Sequence, residues 1–189
     1  MRVSLYALFG RGASKEELWK VGILKEITKN YTVIHSRKLE GFGTKFMDKA
    51  HEVFGIDNRA AVDLPVDMIK SILAPLQMHE KRVLVITDSQ SLAPIQRLSV
   101  DPALGPHVLV IPKGISTLTG DIMLAILADV FIGNPVSTFS MYIAQARHAL
   151  GIGKSYLFHR KNETSGEWET FCEDKSCLYH WMNVFVPLF

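Results

Sequence analysis

The sequence predicts an α/β domain: a Rossmann-like, mostly parallel sheet with helices on both faces. Two patterns and the composition carry this reading. Residues 83–86, Val-Leu-Val-Ile, form a continuous apolar run bounded by Arg82 and Thr87-Asp88, the pattern of a strand buried on both faces of a parallel sheet. Similar runs at residues 31–34, 107–111, 130–132 and 155–158 alternate with amphipathic stretches, which is the βαβ signature. The chain has 189 residues, 48% hydrophobic and 21% charged, the balance of one ordinary folded domain. A chain of this length buries roughly 70% of the surface it exposes when unfolded, enough for a core without disulfide or metal staples.

Taken in order, Ser14 followed by Glu16 and Glu17 marks a helix start, and Leu18, Val21 and Leu24 carry its period towards Asn30. A strand follows from Tyr31 to His35. Residues 43–54 read as a helix with Phe46, Met47, Ala50 and Phe54 on one side and Gly55 as its stop. Pro65 opens another helix through Met68, Ile69, Ile72 and Leu73, and Pro75 ends it. Helices are expected near residues 92–98, 119–127 and 137–150, between the later strands. The core spans about 31–158, and the aromatic-rich tail 159–189 reads as a hairpin or as a cover for a sheet edge. The whole is one domain.

Several classes are excluded early. There are 21 Lys and Arg against 19 Asp and Glu, a net charge of +2 with the bases scattered, so composition gives no argument for nucleic acid or an anionic membrane. The longest nearly apolar stretch, residues 122–132, is too short to cross a bilayer and contains Asp129. The opening residues reach Gly10-Arg11-Gly12 without a small-residue cleavage site and read as a strand or a truncated start. No Gly-x-Gly-x-x-Gly, His-Glu-x-x-His or Gly-x-Ser-x-Gly occurs, which argues against a dinucleotide oxidoreductase, a zincin and an α/β-hydrolase. Residues 151–155 resemble the end of a phosphate-binding loop, but they run from helix into strand and the first Gly is replaced by His148. Cys172, Cys177 and His180 lack a fourth zinc ligand at standard spacing and fit a tail hairpin or a small disulfide loop better.

Open α/β sheets bind ligands beyond the carboxyl ends of their strands, so the residues just after each apolar run carry the functional signal. His35-Ser36-Arg37 ends the first strand, and its imidazole and guanidinium project from the same side of an extended chain. Such a pair can clamp an oxyanion, because Arg offers a planar fork of donors matched to phosphate oxygens. The same residues also fit a capped strand-end His beside an Arg paired with a surface carboxylate. Asp88 follows the second strand, where it can bind ribose hydroxyls or cap the next helix. Gly133 allows close backbone approach, and Ser137 and Thr138 place hydroxyls and N–H groups at a helix N-terminus, an anion site that is also an ordinary cap. Arg147, two turns on, either adds charge to that pocket or faces water.

Taken together, residues 121–140 with Arg147 and 155–158 closely resemble the donor-binding region of the GDP-fucose protein O-fucosyltransferase family. His35-Ser36-Arg37 resembles that family's His-x-Arg motif, and residues 85–89 resemble its intervening strand and Asp. The resemblance covers roughly 31–158 and implies the C-terminal half of a two-Rossmann-domain (GT-B) glycosyltransferase. It implies that Arg37 is catalytic, contacting the donor's diphosphate, with His35 positioning the same phosphate or the sugar. Ser137, Thr138 and the Phe139 amide would bind phosphate oxygens, Asp121 would accept hydrogen bonds from guanine, and Asp88 and Arg147 would complete the donor site. It further implies GDP-fucose as donor substrate, a protein or glycan hydroxyl as acceptor, no cofactor and no metal.

The family carries an N-terminal domain before its His-x-Arg motif, and here 34 residues precede His35, so a truncated or stand-alone donor half is expected. No general base can be assigned; Glu40 is near Arg37 in sequence only. The sequons Asn30-Tyr31-Thr32 and Asn162-Glu163-Thr164 are compatible with the ER or Golgi lumen that the resemblance suggests, where Cys172 and Cys177 could pair. The rival expectation is a non-catalytic Rossmann-like module, and a third is another sugar-nucleotide enzyme on the same architecture.

Overall fold

The computed structural model describes residues 30–37, 52, 64–77, 81–88, 93–111, 118–134, 137–152, 154–157, 159–162 and 164–170. Strand β1 (Tyr31–Ser36) is buried at all six positions, as its run of β-branched and aromatic residues leads one to expect. It pairs in parallel with β2 (Arg82–Thr87), in register from Tyr31 with Arg82 to Ser36 with Thr87. On its other side it pairs in parallel with β4 (Val130–Ile132), Thr32 lying opposite Val130. Strands β3 (Val108–Val110) and β5 (Lys154–Tyr156) extend the sheet at either edge, giving the order β3-β2-β1-β4-β5, parallel throughout. The chain therefore builds outward from β1 to β3 and then returns to lay β4 on the opposite side of β1. The gap between the carboxyl ends of β1 and β4 is the topological switch point, where such sheets bind ligands.

Alternation of side chains sends neighbouring residues of β1 to opposite faces. Ile34 packs with Val83, Val85, Val130, Ile132 and Tyr156 against α1 (Val66–Leu73) and α2 (Ala93–Val100), through Met68, Ile69, Leu73, Ile95 and Leu98. The opposite face meets α3 (Leu118–Leu127) and α4 (Thr138–Leu150): Tyr31 donates from its hydroxyl to the Leu124 carbonyl, and His35 reaches Ser140.

Helix ends follow local chemistry. Pro65, with φ −55°, precedes α1, where its missing N–H costs nothing, and Asp67 in the first turn suits the positive end of the dipole. Pro75 turns the chain into a 3-10 turn, Ala74–Leu76. Helix α4 stops at Gly151, whose φ of 65° is the left-handed conformation of a C-cap and whose N–H bonds the His148 carbonyl. After β5, β6 (His159–Lys161) and β7 (Trp168–Thr170) form an antiparallel hairpin. Asn162 organises its turn by accepting from the N–H groups of Thr164 and Ser165. Trp168 packs against the α1 and α2 core, and its indole N–H donates to Asp67 at 2.9 Å. The tail is thus a hairpin over 159–170.

The expected helices at 14–30 and 43–54 lie outside the described residues, save that Glu52 is helical. Glu40, Cys172, Cys177 and His180 lie outside them as well. Among the described residues, no helix is long and apolar enough to cross a membrane.

Candidate functional site

His35 is the last residue of β1 that faces α4. Its Nδ1 lies 2.7 Å from the Ser140 hydroxyl, and its ring rests against Phe139, centroids 4.7 Å apart and tilted by 48°. The same Ser140 oxygen accepts the Asn134 N–H at 2.9 Å, so one hydroxyl ties the end of β1, the turn after β4 and the first turn of α4. Only 6% of His35 is exposed. Burial, reinforced by the Arg37 charge and opposed by Asp88, holds its pKa down to about 4, so the imidazole is neutral near pH 7.

Such close docking of α4 requires Gly133. A Cβ there would stand 2.6 Å from Leu157 Cδ2, 2.8 Å from Phe131 Cε1 and 2.9 Å from Ser140 Cβ. The glycine admits the packing of this protein's own helix and the β5 end, rather than the approach of a ligand.

Arg37 and Asp88 follow the paired ends of β1 and β2, one step beyond the Ser36–Thr87 pair. Their side chains form an ion pair, Nε to Oδ2 at 3.6 Å, and both are about half exposed, at 50% and 46%. This is the surface pairing that the sequence left open as an alternative. A solvent-exposed pair of this length contributes at most about 1 kcal/mol, so its partners are readily exchanged.

Helix α4 presents its N-terminus to the same crevice. Ser137 sits at the N-cap in extended conformation, its N–H bonded to the Asn134 carbonyl and its own carbonyl accepting the Met141 N–H. Its hydroxyl makes no cap hydrogen bond; it is buried and has no partner among the described residues. An ordinary cap would have used that oxygen. Thr138 is exposed and Phe139 half-buried, and α4 itself offers their N–H groups no acceptor. Asp121 lies half-buried in the first turn of α3, which starts on this carboxyl edge of the sheet before descending to β4.

One predicted site residue is elsewhere. Arg147 neither lines the crevice nor faces water: it is fully buried near the opposite, amino edge of the sheet. Its Nη1 donates to the carbonyls of Ala125, Ile126 and Ala128, its Nη2 to those of Asp129 and Lys154, and its Nε to the Ser155 hydroxyl at 3.1 Å. These carbonyls close α3, lead into β4 and open β5, so the guanidinium satisfies a helix C-terminus and complements its dipole. Desolvation lowers its pKa to about 10, which still leaves it charged at pH 7. The structure thus brings together His35 with Phe139 and Arg37 with Asp88, at the edge where Ser137, Thr138 and Asp121 also lie, and removes Arg147 from the group. Sequence reasoning gave Ser140 no role. Its signal was the inward stripe Ser140, Ile143, Ala144, Arg147 on α4, whose two polar members each face an interior partner.

The five-stranded parallel sheet is Rossmann-like, and its polar side chains His35, Arg37, Asp88 and Ser137 lie at its carboxyl edge. Among solved structures the chain matches POFUT1: the apo form at TM-score 0.52 and 17% identity over 76% of this chain and 45% of that one. The complex of POFUT1 with GDP-fucose gives 0.51 and 17% over 77% and 46%. NodZ alpha-1,6-fucosyltransferase soaked with GDP-fucose superimposes more loosely, at 0.41 and 15% over 85% and 49%. The likeness to POFUT1 is one of fold, and the chain spans a little under half the length of these proteins. No family model and no curated protein matches the sequence.

Proposed function

We propose that this chain is the donor-binding half of a GDP-fucose-dependent fucosyltransferase of GT-B type. The observation that carries the reading is the meeting, at one switch point, of a His-x-Arg strand end with a helix N-terminus whose buried Ser137 hydroxyl has no partner among the described residues. The fold shared with POFUT1, one of whose structures holds GDP-fucose, supports it.

On this reading the diphosphate lies across the end of β1 and the start of α4. Arg37 exchanges Asp88 for phosphate oxygens, and the Ser137 hydroxyl with the Thr138 and Phe139 amides bind from the helix side. As the bond between fucose and the β-phosphate breaks, negative charge grows on the departing GDP. A positioned guanidinium and helix-end donors stabilise that charge without a metal ion. Asp121 accepts from guanine N1–H and N2–H, donors that a pyrimidine such as uracil does not present in that arrangement. The acceptor hydroxyl attacks from the side opposite the leaving group, with its general base supplied from outside the residues assigned here. A secretory-lumen setting accords with this reading.

Calorimetric titration with GDP-fucose tests it. Saturable binding that GDP displaces, that UDP leaves intact and that Arg37→Ala weakens is the expected result; a folded chain that ignores every guanine nucleotide would refute the reading. The Arg37–Asp88 ion pair favours a second reading, a nucleotide-binding module without turnover. It predicts the same binding, with no transfer or donor hydrolysis when the chain is paired with a complementary N-terminal half.

A further inference from the structure

Hydrogen-bond accounting around His35 bears on which ring nitrogen carries its proton. Ser140 Oγ has two partners, the Asn134 amide and His35 Nδ1. A backbone N–H only donates, so the hydroxyl accepts from Asn134, and among the described residues the acceptor that its own proton meets is His35 Nδ1. A neutral imidazole whose Nδ1 accepts carries its proton on Nε2. That second nitrogen has no acceptor among the described residues. Ser140 is fully buried on the inward face of α4, and Gly133 and Leu157 pack around it, so its hydroxyl cannot turn away to water. Phe139 holds the ring from the side.

We infer that Ser140 is a positioning residue that locks His35 as its Nε2–H tautomer, so that a neutral hydrogen-bond donor is offered at the switch point to an oxygen acceptor of the bound ligand. The arrangement excludes His35 as a general base through Nε2, which is already protonated, and makes it a donor of fixed direction. Burial and the Arg37 charge keep the ring neutral, so the donor persists across the neutral pH range. The identity of the acceptor oxygen, on phosphate or sugar, rests on the donor-binding reading above; the tautomer does not.

The test is nitrogen NMR on ligand-free protein labelled with 15N-histidine, with the His35 signals assigned by their loss in His35→Gln. The wild type should show a pyridine-type Nδ1 and a pyrrole-type Nε2 bearing the proton, and Ser140→Ala should lose that preference while the other histidine signals stay in place. A pyrrole-type Nδ1 in the wild type overturns the proposal whatever the variant does, and so does an unchanged tautomer in the variant. GDP-fucose titration then separates the two claims. About tenfold weaker binding in Ser140→Ala, with no further loss in the double variant Ser140→Ala/His35→Gln, is expected if the Nε2 donor meets the ligand. Fully additive losses would overturn the coupling. A wild type with the expected tautomer that binds no guanine nucleotide would contradict the donor reading and leave the tautomer assignment standing.

Discussion

The two arginines that the sequence offers as ligand-binding candidates, Arg37 and Arg147, end up near opposite edges of one sheet in opposite states. Arg147 is fully buried and every nitrogen of its guanidinium is engaged by backbone carbonyls or the Ser155 hydroxyl. Arg37 is half exposed and holds one long ion pair to Asp88. A buried cation persists only when its donors are saturated, and a saturated cation has nothing left to offer a ligand. A half-solvated cation in a weak pair can change partners at little cost. The contrast extends to their neighbours: at the amino edge Tyr31 bonds Leu124 and Asp129, whereas at the carboxyl edge the Ser137 hydroxyl has no partner among the described residues.

Removing Arg147 should have the largest effect on stability. Arg147→Ala removes the side-chain donor from five backbone carbonyls, of which that of Asp129 keeps the Lys154 N–H, and empties the volume between α3, α4 and the amino ends of β4 and β5. The expected loss is about 4 kcal/mol, read by urea denaturation. An Arg147 variant as stable as the wild type would erase the distinction between the two edges.

Acid should produce the next effect, through His35. Its folded pKa of about 4 lies below the ordinary 6.5. Between those values the unfolded chain binds a proton that the folded chain refuses, so stability rises with pH across this window. The contribution is complete above pH 6.5 and is lost as pH falls towards 4, at most about 3 kcal/mol. Arg37 and Asp88 act on the ring with opposite signs, so the window should extend to lower pH in Asp88→Asn, and the His35 contribution should vanish in His35→Gln. Denaturation midpoints measured at stepped pH check this, and a flat wild-type profile would contradict a buried neutral His35.

Asp88→Asn should give the smallest change. At neutral pH it removes an exposed pair at 3.6 Å, so stability should shift by less than about 1 kcal/mol, as thermal unfolding would show. A larger loss would mean that Arg37 is held as firmly as Arg147, and the two edges would no longer differ in kind.

The sheet was legible in the sequence because its central strands are buried on both faces: the runs at 83–86 and 130–132 stand within β2 and match β4. Helix α4 stands where a helix was expected, over 137–150. The strand-end rule also located the candidate site, since His35, Arg37, Asp88 and Ser137 all follow or close an apolar run. Function within the site was less legible, because a residue's type does not reveal whether its bonding capacity is spent. Arg147 illustrates this: its spacing of seven from Ser140 put it on the inward stripe, yet a cation at that position was read as ligand-binding or solvent-facing. Gly133 was read as room for a ligand, and the room is filled by Ser140, Phe131 and Leu157. The partners that decided both cases lie on α3, β4 and β5, beyond the reach of local pattern.

On the proposed reading the carboxyl edge binds a nucleoside diphosphate, with Arg37 as the exchangeable cation. Calorimetry with GDP-fucose on the wild type and Arg37→Ala, with GDP and UDP as competitors, tests it most directly. Saturable binding is expected, displaced by GDP and not by UDP, and weakened by about tenfold or more in a variant that unfolds at the same temperature as the wild type. Equal affinity in the variant, or no binding by the folded wild type, would contradict it.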